Sequence, residues 1–362
     1  MAGGAERAEK EYVVEHSVIA RSETGSRRGR GPQGRTSPQS KGRQHSIHAD
    51  LTRRRLLTGG LAVTALVAAG CGQEESTQAQ EPTTHTVEDF LGKTTIPKRP
   101  ERIVADSVSV YAALHALGVE PVGAALPEGI STEYFAPADD DIANVVADDG
   151  WTIGLERALA LDPDLIVAVG ADYNRDNCKR YRDAVATYCF VEGWESPEEI
   201  KERFLALGRA IGREDEAREA IDAYDAKVAD AKEQFAPHLD EIGKVGIVRF
   251  GAPDFIGVRS DDIVQTVFAS LGLDEPTWPK QGPSGYVELS METLSVLDRV
   301  DTLFVTLDDD IDRDTFEVFD SPLWQSLEVV SEGRAHVVSA WNGADLPQLD
   351  RIVDDITGAV LP

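Results

Sequence analysis

Residues 196–212, SPEEIKERFLALGRAIG, predict a long helix near the middle of the chain. Ser196 is a favoured N-cap, Pro197 suits the first turn, and Glu199 stands three residues after the cap. Apolar residues then recur at helical spacing: Ile200, Phe204, Leu207 and Ile211. Gly212 ends this pattern. A second helical stretch follows, so the middle of the chain predicts a stiff helical connection between two halves.

Short apolar runs alternate with amphipathic helices on both sides of this connection, which is typical of parallel α/β architecture. The predicted strands are residues 102–106, 121–125, 165–170, 187–193, 244–251, 254–258, 302–307 and 335–340. We therefore predict an α/β fold of two Rossmann-like lobes bridged by a long α-helix. A ligand cleft between the lobes follows from this arrangement, and we expect only small closure motions because a helix resists wide hinge bending.

The predicted organisation of the chain has six segments. They are a leader or misassigned start (1–50), an export signal (51–70), a lipidated cysteine with its tether (71–85), an N-terminal lobe (86–194), a bridging helix (195–212) and a C-terminal lobe (213–362). The leader is polar, basic and rich in Gly, Pro and Ser, so it has too few apolar residues to form a core.

Residues 51–71, LTRRRLLTGGLAVTALVAAGC, have the pattern of an export signal. The apolar part would form a helix of roughly 22 Å, which is short of the ~30 Å hydrocarbon core of a bilayer. The arginines at its start resemble a twin-arginine motif, and the end resembles a lipobox in which Cys71 is acylated. The alternative is an uncleaved signal anchor with an incidental cysteine. We predict a lipoprotein held at the extracytoplasmic face of the cell membrane.

The chain carries a formal net charge of −28. Its first 71 residues hold 12 Lys and Arg against 6 Asp and Glu, so the remainder has a net charge of about −34. This charge argues against nucleic acid or an anionic lipid surface as the main partner, because both require basic surface. We expect the protein to be monomeric.

Two cysteines remain in the exported part of the chain, Cys178 and Cys189. They could form a disulfide across an 11-residue step, since the predicted compartment is oxidising, or remain two buried thiols.

Three phrases carry a resemblance to a known family: ERIVADSVSVYAALHALGVEPVG (101–123), LERALALDPDLIV (155–167) and LSMETLSVLDRVDTLFV (289–305). In this order, after a lipoprotein signal, they resemble the substrate-binding proteins of iron–siderophore ABC transporters. The resemblance implies capture of a ferric siderophore and delivery to a permease and its ATPase, without catalysis. It also implies that Glu156 and Glu292 pair with permease arginines. Cobalamin or haem is the alternative ligand within the same fold.

Ligands of open α/β sheets bind beyond the carboxyl ends of the strands, and aromatic residues with one arginine follow those ends here. Aromatic walls offer apolar area, and a guanidinium offers a fork to chelate oxygens. The candidate ligand-binding residues are Arg249, Tyr286, Trp341, Tyr173, Trp194, Trp151 and Phe250.

A bare-metal site is not expected, because the histidines of the exported part lie singly along the chain. No enzyme cofactor is expected either. Residues 282–285, GPSG, miss the G-x-S-x-G pattern, and no glycine-rich phosphate loop follows a strand. Residues 308–310 are three aspartates that we interpret as a solvated loop. An exported enzyme or an adhesion module therefore fits less well than a binding protein.

Overall fold

The protein is described from a computed structural model. The described residues are 83–127, 142–190, 196–251, 255–260, 263–282, 286–308, 317–338, 341 and 345–361. The segment predicted to be an export signal, Cys71 and Trp194 lie outside them. No helix within these residues is both long and apolar enough to span a membrane.

The first lobe contains a five-stranded parallel sheet with the order β5-β4-β3-β6-β7. Its strands are β3 (Ile103–Ala105), β4 (Gly123–Ala124), β5 (Ala143–Asn144), β6 (Leu165–Val169) and β7 (Thr187–Phe190). The central strands β3 and β6 are fully buried, as expected for a parallel sheet that is covered on both faces.

The second lobe contains a five-stranded mixed sheet with the order β10-β9-β8-β11-β12. Its strands are β8 (Val245–Gly251), β9 (Phe255–Arg259), β10 (Tyr286–Leu289), β11 (Thr302–Leu307) and β12 (Ala335–Val337). This sheet departs from a purely parallel arrangement at β9, which runs antiparallel to both β8 and β10. The connection from β8 to β9 is too short for a parallel crossover, which needs about a dozen residues.

An antiparallel hairpin of β1 (Thr84–Asp89) and β2 (Gly92–Pro97) precedes the first sheet and was not predicted. Asp89 fastens it to the lobe. Its Oδ2 accepts a hydrogen bond from the backbone N–H of Cys189 at 2.7 Å, and Arg182 donates to the same carboxylate. The Asp89 side chain is fully buried, so this pair is one of the points that attach the hairpin to the lobe.

Ten α-helices and four 3₁₀ segments complete the described residues. The α-helices are α1 (Val108–Ala116), α2 (Leu155–Leu159), α3 (Arg175–Ala184), α4 (Pro197–Ile211), α5 (Glu214–Phe235), α6 (Leu239–Ile242), α7 (Ile263–Leu271), α8 (Pro322–Gln325), α9 (Glu328–Ser331) and α10 (Leu346–Val360). The 3₁₀ segments are Asp172–Asn174, Ala236–His238, Met291–Arg299 and Glu317–Asp320.

Helices α4 and α5 fill the chain between the two sheets, as predicted. The Ser196 hydroxyl accepts a hydrogen bond from the Glu199 N–H at 3.2 Å and caps α4. Gly212 ends this helix in the left-handed region, at φ +75°. The four predicted apolar residues of α4 are all buried. Helix α4 contacts β7 of the first lobe and α7 of the second, so it links the two lobes.

One large apolar cluster contains residues from both sheets, including Val167 of β6 and Ile247 of β8. Helix α10 contributes to it and packs against α1, α4, α5 and α7. Two smaller clusters cover the opposite faces of the sheets, one in each lobe. The predicted α/β fold of two lobes is confirmed, and its lobes share a core.

Candidate functional site

Arg249 marks the point where one face of the second sheet changes from apolar to polar. On β8 the neighbouring residue of the same face, Ile247, belongs to the core that both lobes share. One step further along β8, Arg249 is in register with Thr306 of β11 and with Gly257 of β9. Gly257 is in turn paired with Glu288 of β10. Thr306, Arg249, Gly257 and Glu288 therefore form one row across four strands, and each member except the glycine has a polar side chain.

The guanidinium of Arg249 forms a two-pronged ion pair with Asp308, which follows β11. Nε lies 2.6 Å from Oδ1, and Nη2 lies 3.1 Å from Oδ2. The space for this carboxylate comes from Gly251, where an added Cβ would lie 2.6 Å from Oδ2 of Asp308. The Arg249 side chain is 39% exposed and that of Asp308 is 28% exposed, so the pair is open to a ligand on one side.

Two aromatic rings complete the group around Arg249. The third nitrogen, Nη1, donates to the Tyr286 hydroxyl at 2.9 Å. The guanidinium carbon also lies 5.7 Å from the centre of the Tyr286 ring and 5.9 Å from that of Phe255. These rings meet edge to face at 5.2 Å above Gly257. A Cβ at this glycine would come within 2.6 Å of Phe255, so the absence of a side chain lets the rings meet.

The charge of Arg249 is held by its partners. Burial alone disfavours the charged guanidinium, but hydrogen bonds and the negative charge of Asp308 outweigh burial and raise the pKa of Arg249 above its ordinary value. The group therefore presents a permanent cation, two aromatic rings and a carboxylate on one half-open surface. Such a surface can hold an apolar ligand that carries oxygen atoms, through ring contacts and directed N–H donors.

The carboxyl end of β6 in the first lobe carries Tyr173, which is 65% exposed. Its neighbour Asn174 is buried and donates its amide to Oδ2 of Asp106 at 2.8 Å and to the Val169 carbonyl at 2.9 Å. Asp106 also accepts from the Val169 N–H at 2.8 Å. Because burial outweighs these hydrogen bonds, the pKa of Asp106 is raised to about 7. This buried network fixes the segment that presents Tyr173.

The other predicted residue of the first lobe, Trp151, is 60% exposed. It lies in the small hairpin after β5 that is closed by the bridge between Val146 and Ile153. Trp151 and Tyr173 remain exposed candidates for ligand contact in this lobe.

Two of the predicted ligand residues are placed elsewhere by the structure. Phe250 is fully buried and packs edge to face on Phe319 and Trp324, because alternation along β8 turns it to the face opposite Arg249. Trp341 is 2% exposed, packs on Phe304, and donates its indole N–H to Asp355 at 2.8 Å. Both rings therefore stabilise the core, and the prediction that they line the ligand surface is wrong.

The two glutamates predicted to meet a permease are both exposed. Glu156 lies in the first turn of α2, and Glu292 lies in the first turn of the 3₁₀ segment Met291–Arg299. A hydrogen bond from Ser290 lowers the pKa of Glu292, so its carboxylate stays charged. Each glutamate thus presents a negative charge at the start of a short helix.

Cys178 and Cys189 are both buried free thiols in the structure. They are close enough for a sulfur–sulfur hydrogen bond, and this bond together with burial raises the pKa of Cys189. Cys178 also donates to the Val169 carbonyl at 3.2 Å. Of the two arrangements considered from the sequence, the structure has the thiols.

Asp308 and Phe255 are the site residues that sequence reasoning missed. The short connection between β8 and β9 was the available signal for Phe255. Such a connection forms a hairpin, so Phe255 at the start of β9 lies beside Gly251 at the end of β8. Asp308 directly follows a buried strand, but the run of aspartates suggested a solvated loop. Among the described residues, no three His, Cys, Asp or Glu side chains are grouped to hold a metal ion.

The fold and this site define a class of protein with two α/β lobes and a half-open polar and aromatic surface at the end of one sheet. The chain belongs to the periplasmic binding protein family, whose model matches residues 103–338.

Relatives of known name support this membership. The chain is 25% identical to the Fe(3+)-citrate-binding protein YfmC of Bacillus subtilis over 292 residues, which cover 76% of this chain and 86% of that protein. It is also 25% identical to the probable siderophore-binding lipoprotein YfiY of Bacillus subtilis, over 81% of this chain and 94% of that one. The crystal structure of the petrobactin-binding protein YclQ from Bacillus subtilis superposes with a TM-score of 0.62 at 18% identity. The superposition covers 77% of this chain and 99% of the YclQ chain.

Proposed function

We propose that this protein is the extracytoplasmic substrate-binding component of an ABC importer, which captures a ferric siderophore and delivers it to the membrane permease. The observation that carries the proposal is the group of Arg249, Tyr286, Phe255 and Asp308. This group lies where the second sheet extends beyond the shared apolar core. A ferric siderophore is a bulky chelate with apolar faces and oxygen atoms around the metal. Rings and a directed guanidinium are the protein groups that suit it.

The family and the named ligands of the relatives support this ligand class. The family consists of binding proteins, which supports a role in which the protein binds its ligand without transforming it and the siderophore is cargo. The ferric ion arrives already coordinated by the siderophore. The protein then needs only to contact the outside of the chelate.

The position of the protein in the cell is part of the proposal. Cys71 is acylated and anchors the chain to the outer face of the cytoplasmic membrane after twin-arginine export, and Glu156 and Glu292 dock on the permease that works with its ATPase. The sequence pattern of residues 51–71 and the lipoprotein name of one relative support the anchor. The exposure of both glutamates at helix starts supports the docking.

Isothermal titration of the purified protein with ferric siderophores tests the ligand class. The panel contains ferric trihydroxamate, tris-catecholate and citrate complexes, with cobalamin and haem as the alternatives. We expect at least one ferric chelate to bind in the micromolar range or tighter. The Arg249→Ala variant should bind that chelate ten- to a hundredfold more weakly, since a charge-assisted hydrogen bond contributes roughly 1.5–3 kcal/mol.

The matched control is Arg334→Ala, since Arg334 is a partly exposed arginine whose partners are Asp301 and Glu332 and which is remote in register from the site. It should leave affinity unchanged. Binding of cobalamin or haem, with no response to any ferric chelate, would contradict the proposed ligand class.

A further inference from the structure

The cation of the candidate site is already neutralised by the protein itself. Asp308 takes two of the three nitrogen atoms of the Arg249 guanidinium, through the contacts of 2.6 Å and 3.1 Å. The third nitrogen donates to the Tyr286 hydroxyl. A ligand that approaches Arg249 therefore meets an ion pair and not an isolated positive charge.

The strand register extends this balance across the sheet face. Arg249 and Glu288 lie in one row through Gly257, and Tyr286 is in register with Arg259 on the same face. Arg259 is buried and donates to the Trp341 carbonyl. Among the described strands and Asp308, this face thus carries two cationic side chains, Arg249 and Arg259, and two anionic ones, Glu288 and Asp308. Their formal charges sum to zero.

An anionic ligand has two ways to reach the Arg249 guanidinium, and both are costly. It can displace Asp308, which leaves a carboxylate that is only 28% exposed without its partner and close to the ligand's own negative charge. It can instead bind beside the intact pair, where the carboxylate repels it and the guanidinium attracts it. A neutral chelate meets neither cost, because it needs only ring contacts and single hydrogen bonds.

From this geometry we infer the charge class of the cargo: the site selects a ferric chelate of zero or low net charge, of the trihydroxamate type, and Asp308 is the residue that sets this selectivity. A ferric trihydroxamate is neutral, because three singly charged hydroxamates balance Fe³⁺. A ferric tris-catecholate carries a charge of −3, because each catecholate is doubly charged. The inference rests on the proposed function and specifies its ligand further.

The charge of the chain agrees with exclusion of polyanions. The part of the chain after residue 71 has a net charge of about −34 and repels polyanions at a distance.

The test compares chelates of different charge on the wild-type protein and on Asp308→Asn. The probes are a neutral cyclic ferric trihydroxamate, a ferric tris-catecholate of charge −3 and ferric citrate, each titrated at low and at physiological ionic strength. We expect the wild-type protein to bind the trihydroxamate at least tenfold more tightly than either anionic complex. Asp308→Asn should shift the ratio of the two affinities about tenfold toward the anionic complexes, whatever its effect on overall affinity.

Asp298→Asn is the matched control, because it removes the same charge from an exposed position on the 3₁₀ segment Met291–Arg299. It should leave the preference unchanged. Wild-type protein that binds the tris-catecholate or citrate complex as tightly as the trihydroxamate would overturn the inference, and this comparison stands even if Asp308→Asn does not fold. Loss of binding to every ferric chelate would instead contradict the proposed function.

Discussion

Asn174 donates its side-chain amide to Oδ2 of Asp106 at 2.8 Å, and both side chains are buried in the first lobe. Their contact joins the ends of β3 and β6, the two central strands of the sheet. A buried carboxyl that is raised in pKa to about 7 changes its protonation within the physiological range. The stability of this lobe is therefore coupled to pH.

The first prediction is a pH-dependent gain in stability for Asp106→Asn. Between pH 3.8 and about 7, the folded protein retains a proton on Asp106 that the unfolded chain has lost. The stability from this carboxyl is thus complete below pH 3.8 and is lost as the pH rises to about 7. Because an asparagine side chain does not titrate, the variant should gain on the order of 3 kcal/mol relative to wild type from pH 4 to pH 8.

Urea denaturation at a series of pH values measures this difference. Asp345→Asn should show the same trend, because burial raises the pKa of Asp345 to about 7 as well. A difference between Asp106→Asn and wild type that is constant with pH would contradict the prediction.

The second prediction concerns the space above Gly257. A methyl group there would lie 2.6 Å from Phe255 and 2.9 Å from Tyr286, so Gly257→Ala should push the rings apart and move Tyr286 away from Arg249. We expect chelate affinity to fall about five- to tenfold, with a smaller effect on stability because the rings are half-exposed. Gly358→Ala is the control, since a Cβ there meets nothing within 4 Å. Unchanged chelate affinity in Gly257→Ala would show that the ring contact does not shape the site.

The third prediction separates ligand binding from delivery. Glu156→Ala combined with Glu292→Ala should reduce siderophore uptake by cells several-fold and leave chelate affinity within twofold of wild type. The reason is that both glutamates are exposed at helix starts and take no part in the contacts around Arg249. Glu328→Ala, an exposed glutamate in the first turn of α9, should affect neither quantity. Normal uptake by the double variant would refute the assigned docking role.

The fourth prediction concerns the two buried thiols. Because both thiols are buried, and because hydrogen bonding and burial raise the pKa of Cys189, neither thiol should react with iodoacetamide in the folded protein at pH 8. Both should react in urea without a reductant, which adds two carbamidomethyl groups by intact mass. A protein that needs reduction before it reacts contains a Cys178–Cys189 bridge, and the thiol arrangement would then be incorrect for the exported form.

The fifth prediction tests the export signal. Replacing both Arg53 and Arg54 with lysine should trap the precursor in the cytoplasm, because a twin-arginine signal depends on the guanidinium pair. Cys71→Ala should release the exported protein from membranes. Arg43→Lys, which lies upstream of the signal, should leave fractionation unchanged. Wild-type fractionation of both signal variants would favour the uncleaved anchor.

The strands and the central helix could be predicted because local patterns determine them. The run at 302–307 coincides with β11, and the apolar spacing of residues 196–212 coincides with the buried face of α4. Strand β10 was missed because it is short and directly follows a Gly/Pro-rich stretch. The hairpin of β1 and β2 was missed because its exposed residues are polar and alternate with only partly buried ones.

The site was harder to predict than the strands. The sequence pattern indicated where each strand ends, but not which face of the sheet each side chain at that end occupies. Arg249 and Phe250 are adjacent, yet one takes part in the half-open site and the other is fully buried. The ion pair with Asp308 joins residues 59 positions apart, and its space depends on Gly251, which has no side chain to suggest a role. Such a contact follows from strand register, which a sequence pattern specifies only weakly.

The apolar cluster that contains residues of both sheets has a consequence for folding. If each lobe had a separate core, denaturation would occur in two steps, and either lobe could survive alone. Here Val167 of one sheet and Ile247 of the other belong to the same cluster, and α10 at the end of the chain packs against α1 near its beginning. The last helix must therefore be translated before the first lobe is complete, and the two lobes should melt in a single transition.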